Sequence, residues 1–377
     1  IIITYLIVVL FIGANAAKKV SSTSDYFISD RKFGKGMMML FTFGTGTNTD
    51  QAVTVASKTY TSGASGIWYQ WLWLFATPFY WLLAPLFRRM RAVTTADYLH
   101  KRYGQSVAVL FAIVGIAQLS VNIGVVLKAT SAMIHPVSGG SISPEFAIIA
   151  MTILFVSYGV LGGLNAAIVT DALQGVLTVF LSFLILPFAL NAVGGLDGLR
   201  SVIDDPSVFK VVAPGEITTL YVIVIAINGL IGWVTSPYSM AMCGAGKTEH
   251  ESRIGLVGGM LMKRICTIAW VLTGLCAIGL YADNTIDVDH VYGLMAHDLL
   301  PTIAPGLIGL FIASMLAAVM SSCDALMVSA SALFTENVYK TLIQPGRDEK
   351  HYIFVGRLTS IFIVLFGITI AFELSSV

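Results

Sequence analysis

Long apolar stretches, each able to cross a lipid bilayer as a helix, dominate this 377-residue chain. A helix needs about 20 residues to span the hydrocarbon core, whereas membrane strands give alternating segments of about ten residues. The chain therefore predicts an all-α polytopic membrane protein. Counting a shorter opening run, we predict ten spans, at 1–13, 36–57, 66–87, 106–130, 146–162, 165–190, 217–243, 254–281, 306–333 and 352–374.

Composition agrees with a membrane protein and excludes other classes. Hydrophobic residues make up 56% of the chain and charged residues 11%, against about 25% charged residues in soluble domains. The net charge of +1 provides no basic field, so we expect no nucleic-acid partner. Cysteines lie scattered in or beside apolar segments without metal-ligand spacing, and we expect them to be packing residues; they are Cys243, Cys266, Cys276 and Cys323.

The two ends of the sequence are abrupt. The opening run IIITYLIVVLFIG is shorter than a span and has no basic leader, unlike a signal peptide. We interpret it as a membrane helix that starts before this sequence. The ending FELSSV is similarly expected to be an edge within a longer protein.

Lysine and arginine are distributed unevenly among the predicted loops. Sixteen follow spans one, three, seven and nine, whereas Lys58, Arg200 and Lys210 lie in the other loops. Because basic loops remain in the cytoplasm, we predict a multi-pass protein of the cell membrane with its N-terminus outside. The 282–305 loop contains Asp283 and other aspartates but neither Lys nor Arg, as expected of an outer loop.

Polar residues interrupt the second predicted span in its middle. Gly44 and Gly46 alternate with threonines, and Asp50 and Gln51 follow. Small and polar residues weaken a helix, and unwound backbone at membrane depth is tolerated where it lines a cavity. The pattern favours a discontinuous helix whose carbonyls bind a cation. Close helix packing is the alternative, but it explains only the glycines.

Ionisable residues also occur inside three later spans. Ser321 and Asp324 share one face of the ninth predicted span, and their oxygens suit a hard cation. Asp171 lies just inside the sixth span, where it either binds an ion, or only caps a helix or snorkels. Lys263, next to Arg264, either pairs with one of these acids or snorkels to the interface.

Taken in order, these segments resemble the sodium/solute symporter family, which includes the sodium/glucose cotransporters. The most specific stretch is LIGLFIASMLAAVMSSCDALMVSASALFTENVYK, and further matches are SDYFISDRKFGKG, TTADYLHKRYG, GGLNAAIVTDALQG and VGRLTSIFIVLFGI. The resemblance implies a five-helix inverted-repeat (LeuT-like) transporter fold in a single transmembrane domain, 1–377. An extra N-terminal helix at 1–13 then precedes five helices at 36–190, and 217–374 holds four of the five inverted helices, with the last one missing.

The resemblance also implies particular site residues. A sodium site would use the backbone carbonyls of Gly44, Thr47 and Ala318 with the hydroxyls of Ser321 and Ser322. A second cation site would use Asp171, Ser322 and Asp324. Relatives usually have a hydroxyl residue at the last position, so the pair of carboxylates invites a shared proton or a pairing with Lys263. The implied solute-binding residues are Asp50, Gln51, Gln70 and Lys263.

One departure from the resemblance concerns the solute. Gly232 stands where sugar-transporting members place an aromatic inner gate, so we do not expect a glucose-like pose. Trp233, Tyr69 and Trp73 are candidates for a stacking face instead, or else interface and packing residues.

The predicted function is sodium-coupled symport. The chain would import a small polar organic solute, with a lean to a sugar or sugar acid, by alternating access, with Na⁺ as the coupling ion and without enzyme activity. Its partners would be the solute, the sodium ion and the lipid bilayer. The alternatives are a proton-coupled transporter of the same fold, which Asp324 favours, and a solute-sensing membrane module of a larger signalling protein. A channel is disfavoured because the polar residues gather at mid-membrane.

Overall fold

The computed structural model describes residues 1–18, 20–212, 217–282, 286–304 and 306–374. Within these ranges the chain is built from helices, and the only strand-like contact is one isolated bridge between Phe33 and Gly246. Lys19 and Asp283, used above to predict orientation, lie outside the described residues.

The described helices follow one another along the whole chain. A π-helical segment, Thr335–Ile343, continues α16. In order, the α-helices are α1 (Ile2–Ala17), α2 (Thr23–Ile28), α3 (Lys35–Gly46), α4 (Thr49–Ser62), α5 (Trp68–Trp71), α6 (Tyr80–Met90), α7 (Thr95–Tyr103), α8 (Gln105–Val137), α9 (Pro144–Leu184), α10 (Leu186–Ala192), α11 (Gly195–Val202), α12 (Thr219–Thr235), α13 (Ser239–Gly244), α14 (Glu249–Leu280), α15 (Val291–Leu299), α16 (Leu307–Phe334) and α17 (Glu349–Glu373).

Several helices have the length and composition of membrane spans. Five in the described part of the chain qualify, and the apolar helices α1 and α12 are shorter. The protein is therefore a multi-pass membrane protein, whereas the count of ten spans stays a prediction. The qualifying stretches are Gln105–Val137, Pro144–Ala192, Glu249–Leu280, Leu307–Ile343 and Glu349–Glu373.

Helix α16 lies at the centre of the fold. Every residue from Ala313 to Leu333 is buried, as expected of a helix that is apolar and small-residue-rich on all sides. It packs against α8, α9 and α3. Ser321, Ser322 and Asp324 are therefore enclosed by protein and not exposed to lipid.

The second predicted span is broken as expected. Helix α3 ends at Gly46, the backbone is extended at Thr47 (φ −133°, ψ 101°) and Asn48 (φ −111°, ψ 168°), and α4 begins at Thr49. The prediction of a discontinuous helix is thus confirmed. We call the residues from Gly44 to Asn48 the helix break.

Other predicted spans have different boundaries in the structure. The stretches 146–162 and 165–190 lie mainly in one long helix, α9, which bends at Gly163 (φ 54°, ψ −146°). A Cβ at Gly163 would overlap the Tyr26 carbonyl and ring, so the bend accommodates α2. The stretch 66–87 is divided into α5, a 3₁₀ turn at Thr77–Phe79 and α6, because Pro78 starts a new turn there.

Segments that connect the helices contact one another in at least two places. In one place, Arg88 Nε donates to the Gly246 carbonyl at 2.7 Å and Arg89 pairs with Glu249 at 2.6 Å. In the other place, the Ser57 hydroxyl donates to the Val288 carbonyl at 2.7 Å. Basic segments thus pack with basic segments at one end of the molecule, although the direction of that end in the membrane stays a prediction.

Candidate cation site and solute cavity

The helix break lies against the middle of α16. Ser322 Oγ donates to Asn48 Oδ1 at 2.7 Å and lies 3.3 Å from the Gly44 carbonyl oxygen. Both partners belong to the break, so Ser322 holds the unwound backbone against α16. The sequence did not single out Asn48, although its place in the polar cluster was the available signal.

Ser321 and Asp171 meet the break at Gly44. A Cβ at Gly44 would lie 2.6 Å from Ser321 Oγ and 3.7 Å from the Asp171 carboxyl carbon. Only glycine permits so close an approach of backbone and side chains. Asp171 also accepts a long 3.5 Å bond from Thr45 Oγ1. The structure therefore brings together residues from α3, α9 and α16 around one point.

The remaining predicted sodium ligands lie beside this point. Thr47 lies within the break, and its backbone nitrogen donates to the Gly44 carbonyl oxygen at 3.3 Å. Ala318 is fully buried one turn before Ser321 and Ser322, and helical carbonyls point toward the C-terminus. Its carbonyl is thus directed toward the level of the two serines.

Buried oxygens without partners mark the site. Ser321 Oγ, Thr47 Oγ1 and Asp171 Oδ1 have no hydrogen-bond partner among the described residues. Native proteins pair nearly all such atoms, so this cluster fits a ligand that supplies positive charge. No cluster of three or more His, Cys, Asp or Glu that suits a transition metal occurs in the described ranges. Hydroxyl, carbonyl and carboxylate oxygens instead fit a hard monovalent cation.

Asp324 occupies a separate position between α16 and α9. It is fully buried beside the Tyr158 side chain of α9, and neither carboxylate oxygen accepts a hydrogen bond of ordinary geometry in the described part of the chain. Its Oδ1 packs where a Cβ of Gly159 would be. The predicted second cation site consists of Asp171, Ser322 and Asp324. In the structure, however, Ser322 is directed toward the helix break, and the serine that lies beside Asp171 is Ser321. Burying an unpaired carboxylate is costly, so Asp324 requires a cation or a proton.

A polar cavity of about 370 Å³ lies on the other side of the helix break. All four residues predicted to bind the solute line it: Asp50, Gln51, Gln70 and Lys263. Trp73, Trp233 and Gly232 also line it, whereas Tyr69 does not and instead lies under Lys58 at 5.4 Å. The structure thus places two of the three proposed stacking aromatics at the cavity.

Lys263 is bonded to the end of the broken helix. Its Nζ donates to the Gly46 carbonyl at 2.6 Å, and Gln51 Nε2 donates to the same oxygen at 3.3 Å. These donors satisfy a carbonyl that the end of α3 leaves free. No carboxylate of the described residues lies within 4.0 Å of Lys263, and its side chain is buried. The expected ion pair with an acid, and the snorkelling alternative, are therefore both absent here.

Arg264 is the cavity residue whose role the sequence did not reveal. Its Nη1 donates to the Gln70 carbonyl at 2.7 Å, and the side chain is 4% exposed. Two adjacent basic residues within a span were the available signal, but only Lys263 matched a residue of the resemblance.

Comparison with known proteins identifies the family. A family model described as the sodium:solute symporter family matches residues 26–376. The chain belongs to this family. The resemblance in the sequence is thereby confirmed, and the assignment supports Na⁺ as the coupling ion.

Curated relatives match over shorter segments. An uncharacterized symporter, YidK, of Escherichia coli is 27% identical over 139 residues, which are 37% of this chain and 24% of the relative. Sodium/glucose cotransporter 2 of Rattus norvegicus is 29% identical over 35% of this chain and 22% of the relative. The sodium/proline symporter of Escherichia coli is 24% identical over 39% of this chain and 31% of the relative. The matched segments thus span about a quarter of each relative.

A solved structure shares the fold over nearly the whole chain. It is a substrate-bound outward-open state of a Na⁺-coupled sialic acid symporter, with a TM-score of 0.86 and 19% identity. The match covers 99% of this chain and 80% of the other. The all-helical transporter fold is therefore confirmed, and the family and this neighbour are transporters, not enzymes.

Proposed function

We propose that this chain is the transport domain of a Na⁺-coupled symporter that imports a small polar organic solute by alternating access, without enzyme activity. The observation that carries the proposal is the helix break, which has unpartnered oxygens on its α16 side and a polar cavity on its other side. Family membership and relatives named as sodium/glucose and sodium/proline symporters support it.

The first Na⁺ would be held where the helix break meets α16. The carbonyls of Gly44, Thr47 and Ala318 and the hydroxyls of Ser321 and Ser322 would replace most of its water shell. The contact of Gly44 with Ser321 and the bond of Ser322 to the break support this set.

A second cation would bind near Asp171, Ser322 and Asp324. The two carboxylates lie on facing helices and lack full hydrogen bonding within the described residues. A Na⁺ or a proton there offsets the cost of burying them. Proton coupling in the same fold is the second candidate function, and the full burial of the Asp324 carboxylate without a cationic partner within 4.0 Å among the described residues favours it.

Ion and solute binding would be coupled through the helix break. The Na⁺ side includes Gly44, and the cavity side includes Gly46, whose carbonyl accepts from Lys263. A Na⁺ that fixes the break also fixes the solute cavity, so each ligand raises the affinity for the other by the same factor. The membrane potential adds about 2.3 kcal/mol per charge per 100 mV.

The repeat arrangement and the orientation complete the proposal. Residues 36–190 and 217–374 would form the two inverted halves of a single transmembrane domain, with 1–13 as the extra helix. The basic loops would face the cytoplasm and the N-terminus the outside, since positive charge is retained on the inner face.

Thermal stability of the purified protein in Na⁺, K⁺ or choline at constant ionic strength tests the proposal. We expect saturable stabilisation by Na⁺ alone, reaching about 2.7 kcal/mol at 100 times the dissociation constant. Absence of a Na⁺ effect at every pH would contradict sodium coupling and favour protons. Uptake into proteoliposomes then separates a transporter from a sensor, which would bind a solute without moving it.

A further inference from the structure

Arg264 is a charged side chain buried in the cavity wall without a counter-ion. It is 4% exposed, and a guanidinium stays protonated in proteins. No carboxylate of the residues that the structure describes lies within 4.0 Å of it. A buried charge is normally paired, because leaving it unpaired is strongly destabilising. The protein therefore keeps a costly cation at this position in the solute cavity.

The geometry of Arg264 shows which partner it suits. Its Nη1 is engaged by the Gln70 carbonyl at 2.7 Å, which fixes the plane of the guanidinium. Nε and Nη2, which form the adjacent edge, have no hydrogen-bond partner among the described residues. Two parallel N–H groups on one edge match the two oxygens of a carboxylate. The unpartnered edge of Arg264 thus has the geometry that a carboxylate fits.

The charges around the cavity favour an anion over a zwitterion or a neutral sugar. Asp50, Lys263 and Arg264 are the charged residues that line it. The formal charges of Asp50 and Lys263 cancel in the total charge of the cavity, although the two side chains form no ion pair. The positive charge of Arg264 is therefore left uncompensated. A solute with one negative charge neutralises the cavity, whereas a neutral or zwitterionic solute leaves one positive charge buried.

Other unpartnered groups in the cavity suit hydroxyls on the same solute. Gln51 Oε1, Gln70 Oε1 and Asp50 Oδ1 lack hydrogen-bond donors, and Trp233 Nε1 lacks an acceptor, within the described ranges. Hydroxyl groups supply both functions. The cavity volume of about 370 Å³ lies in the range of small-molecule sites.

We propose that the solute is a hydroxylated monocarboxylate, such as a sugar acid or hydroxy acid, and that Arg264 binds its carboxylate through Nε and Nη2. This inference rests on the proposed symport function and specifies its substrate class.

Matched pairs of acids and neutral analogues test the inference on the purified protein in Na⁺. The pairs are glucuronate with glucose, gluconate with sorbitol, and lactate with propylene glycol, and proline serves as a zwitterion. We expect at least one acid to raise the melting temperature when its neutral analogue does not. In Arg264→Gln the apparent Kd of that acid should rise about 10- to 100-fold, as for loss of a charged hydrogen-bonded pair.

Two further variants serve as controls. Arg264→Lys keeps the charge but loses the planar edge, so it should bind the acid with intermediate affinity. Arg253 lies on the same helix, but its guanidinium packs over the Trp81 ring at 5.0 Å and does not line the cavity. Arg253→Gln should therefore leave acid binding unchanged.

Several results would overturn the inference. These are equal stabilisation by an acid and its neutral analogue, an unchanged acid Kd in Arg264→Gln, tighter binding of proline than of any acid, and no acid-specific shift in the whole panel. Stabilisation by Na⁺ alone is read in the same experiment without solute. If Na⁺ alone stabilises the protein but no acid does so specifically, only this inference is rejected. If Na⁺ alone does not stabilise the protein, the sodium-coupled function itself is rejected.

Discussion

Replacing Ser321 with alanine removes one oxygen from the proposed Na⁺ site and little else. Ser321 Oγ is buried and has no hydrogen-bond partner among the described residues. The Asp171 carboxylate is its polar neighbour, but no hydrogen bond of ordinary geometry joins the two, so removal of the hydroxyl disrupts little internal bonding and relieves an unsatisfied group that costs about 1–3 kcal/mol. Without Na⁺, Ser321→Ala should be at least as stable as the wild type.

The effect in Na⁺ should have the opposite sign. At 100 times its dissociation constant, Na⁺ stabilises the wild type by about 2.7 kcal/mol. If loss of one of five ligands weakens binding 100-fold, the same Na⁺ concentration only equals the new dissociation constant. The stabilisation then falls to about 0.4 kcal/mol, a loss of about 2.3 kcal/mol. For a chain of 377 residues, this is a difference of roughly 3 °C in melting temperature.

Thermal unfolding in Na⁺ and in choline measures this difference, with Ser314→Ala as the matched control. Ser314 is buried on the same helix, but its hydroxyl donates to the Leu310 carbonyl at 2.8 Å, one turn earlier. Ser314→Ala should keep the full Na⁺ increment. The reasoning fails if Ser321→Ala keeps the increment, or if both variants lose it equally.

Three further predictions concern the fold, the second site and the orientation. In Gly163→Ala, the alanine must adopt a backbone conformation that costs about 1–3 kcal/mol without glycine, and its Cβ overlaps Tyr26 of α2. The variant should lower the melting temperature more than Gly346→Ala does, because position 346 also has a positive φ but has open space around it. Asp324→Ser should change the number of cations bound per protein, and an unchanged stoichiometry would argue against a second site. A cysteine at exposed Asp204 should react with an impermeant maleimide on intact cells, and one at exposed Lys101 only after permeabilisation; the reverse pattern would invert the proposed topology.

Local sequence chemistry predicted the main features of the site because the physical causes were local. Glycines among polar residues weaken a helix wherever it lies, so the break at Gly46 was visible in the sequence. The polar residues Ser321 and Asp324 within an apolar span likewise marked α16 as part of a candidate cation site. The resemblance then pointed to four candidate solute-binding residues, which the fold brings to one cavity.

Features that depend on the packing of distant helices were not predictable. The bond from Lys263 to the Gly46 carbonyl depends on how α14 is placed along α3, which no pattern within either helix encodes. Residues 163 and 164 separated two predicted spans, but in the structure helical hydrogen bonding resumes beyond the bend at Gly163, where α2 packs. The free edge of Arg264 becomes visible only when its neighbours are in place.

The central claim, that the helix break and α16 together bind Na⁺, is tested most directly by equilibrium binding of radioactive sodium to the purified protein. We predict saturable binding that unlabelled Na⁺ displaces and K⁺ does not, with a strongly reduced affinity in Ser321→Ala and an unchanged affinity in Ser314→Ala. Binding that does not saturate, or that Ser321→Ala leaves intact, would contradict the account.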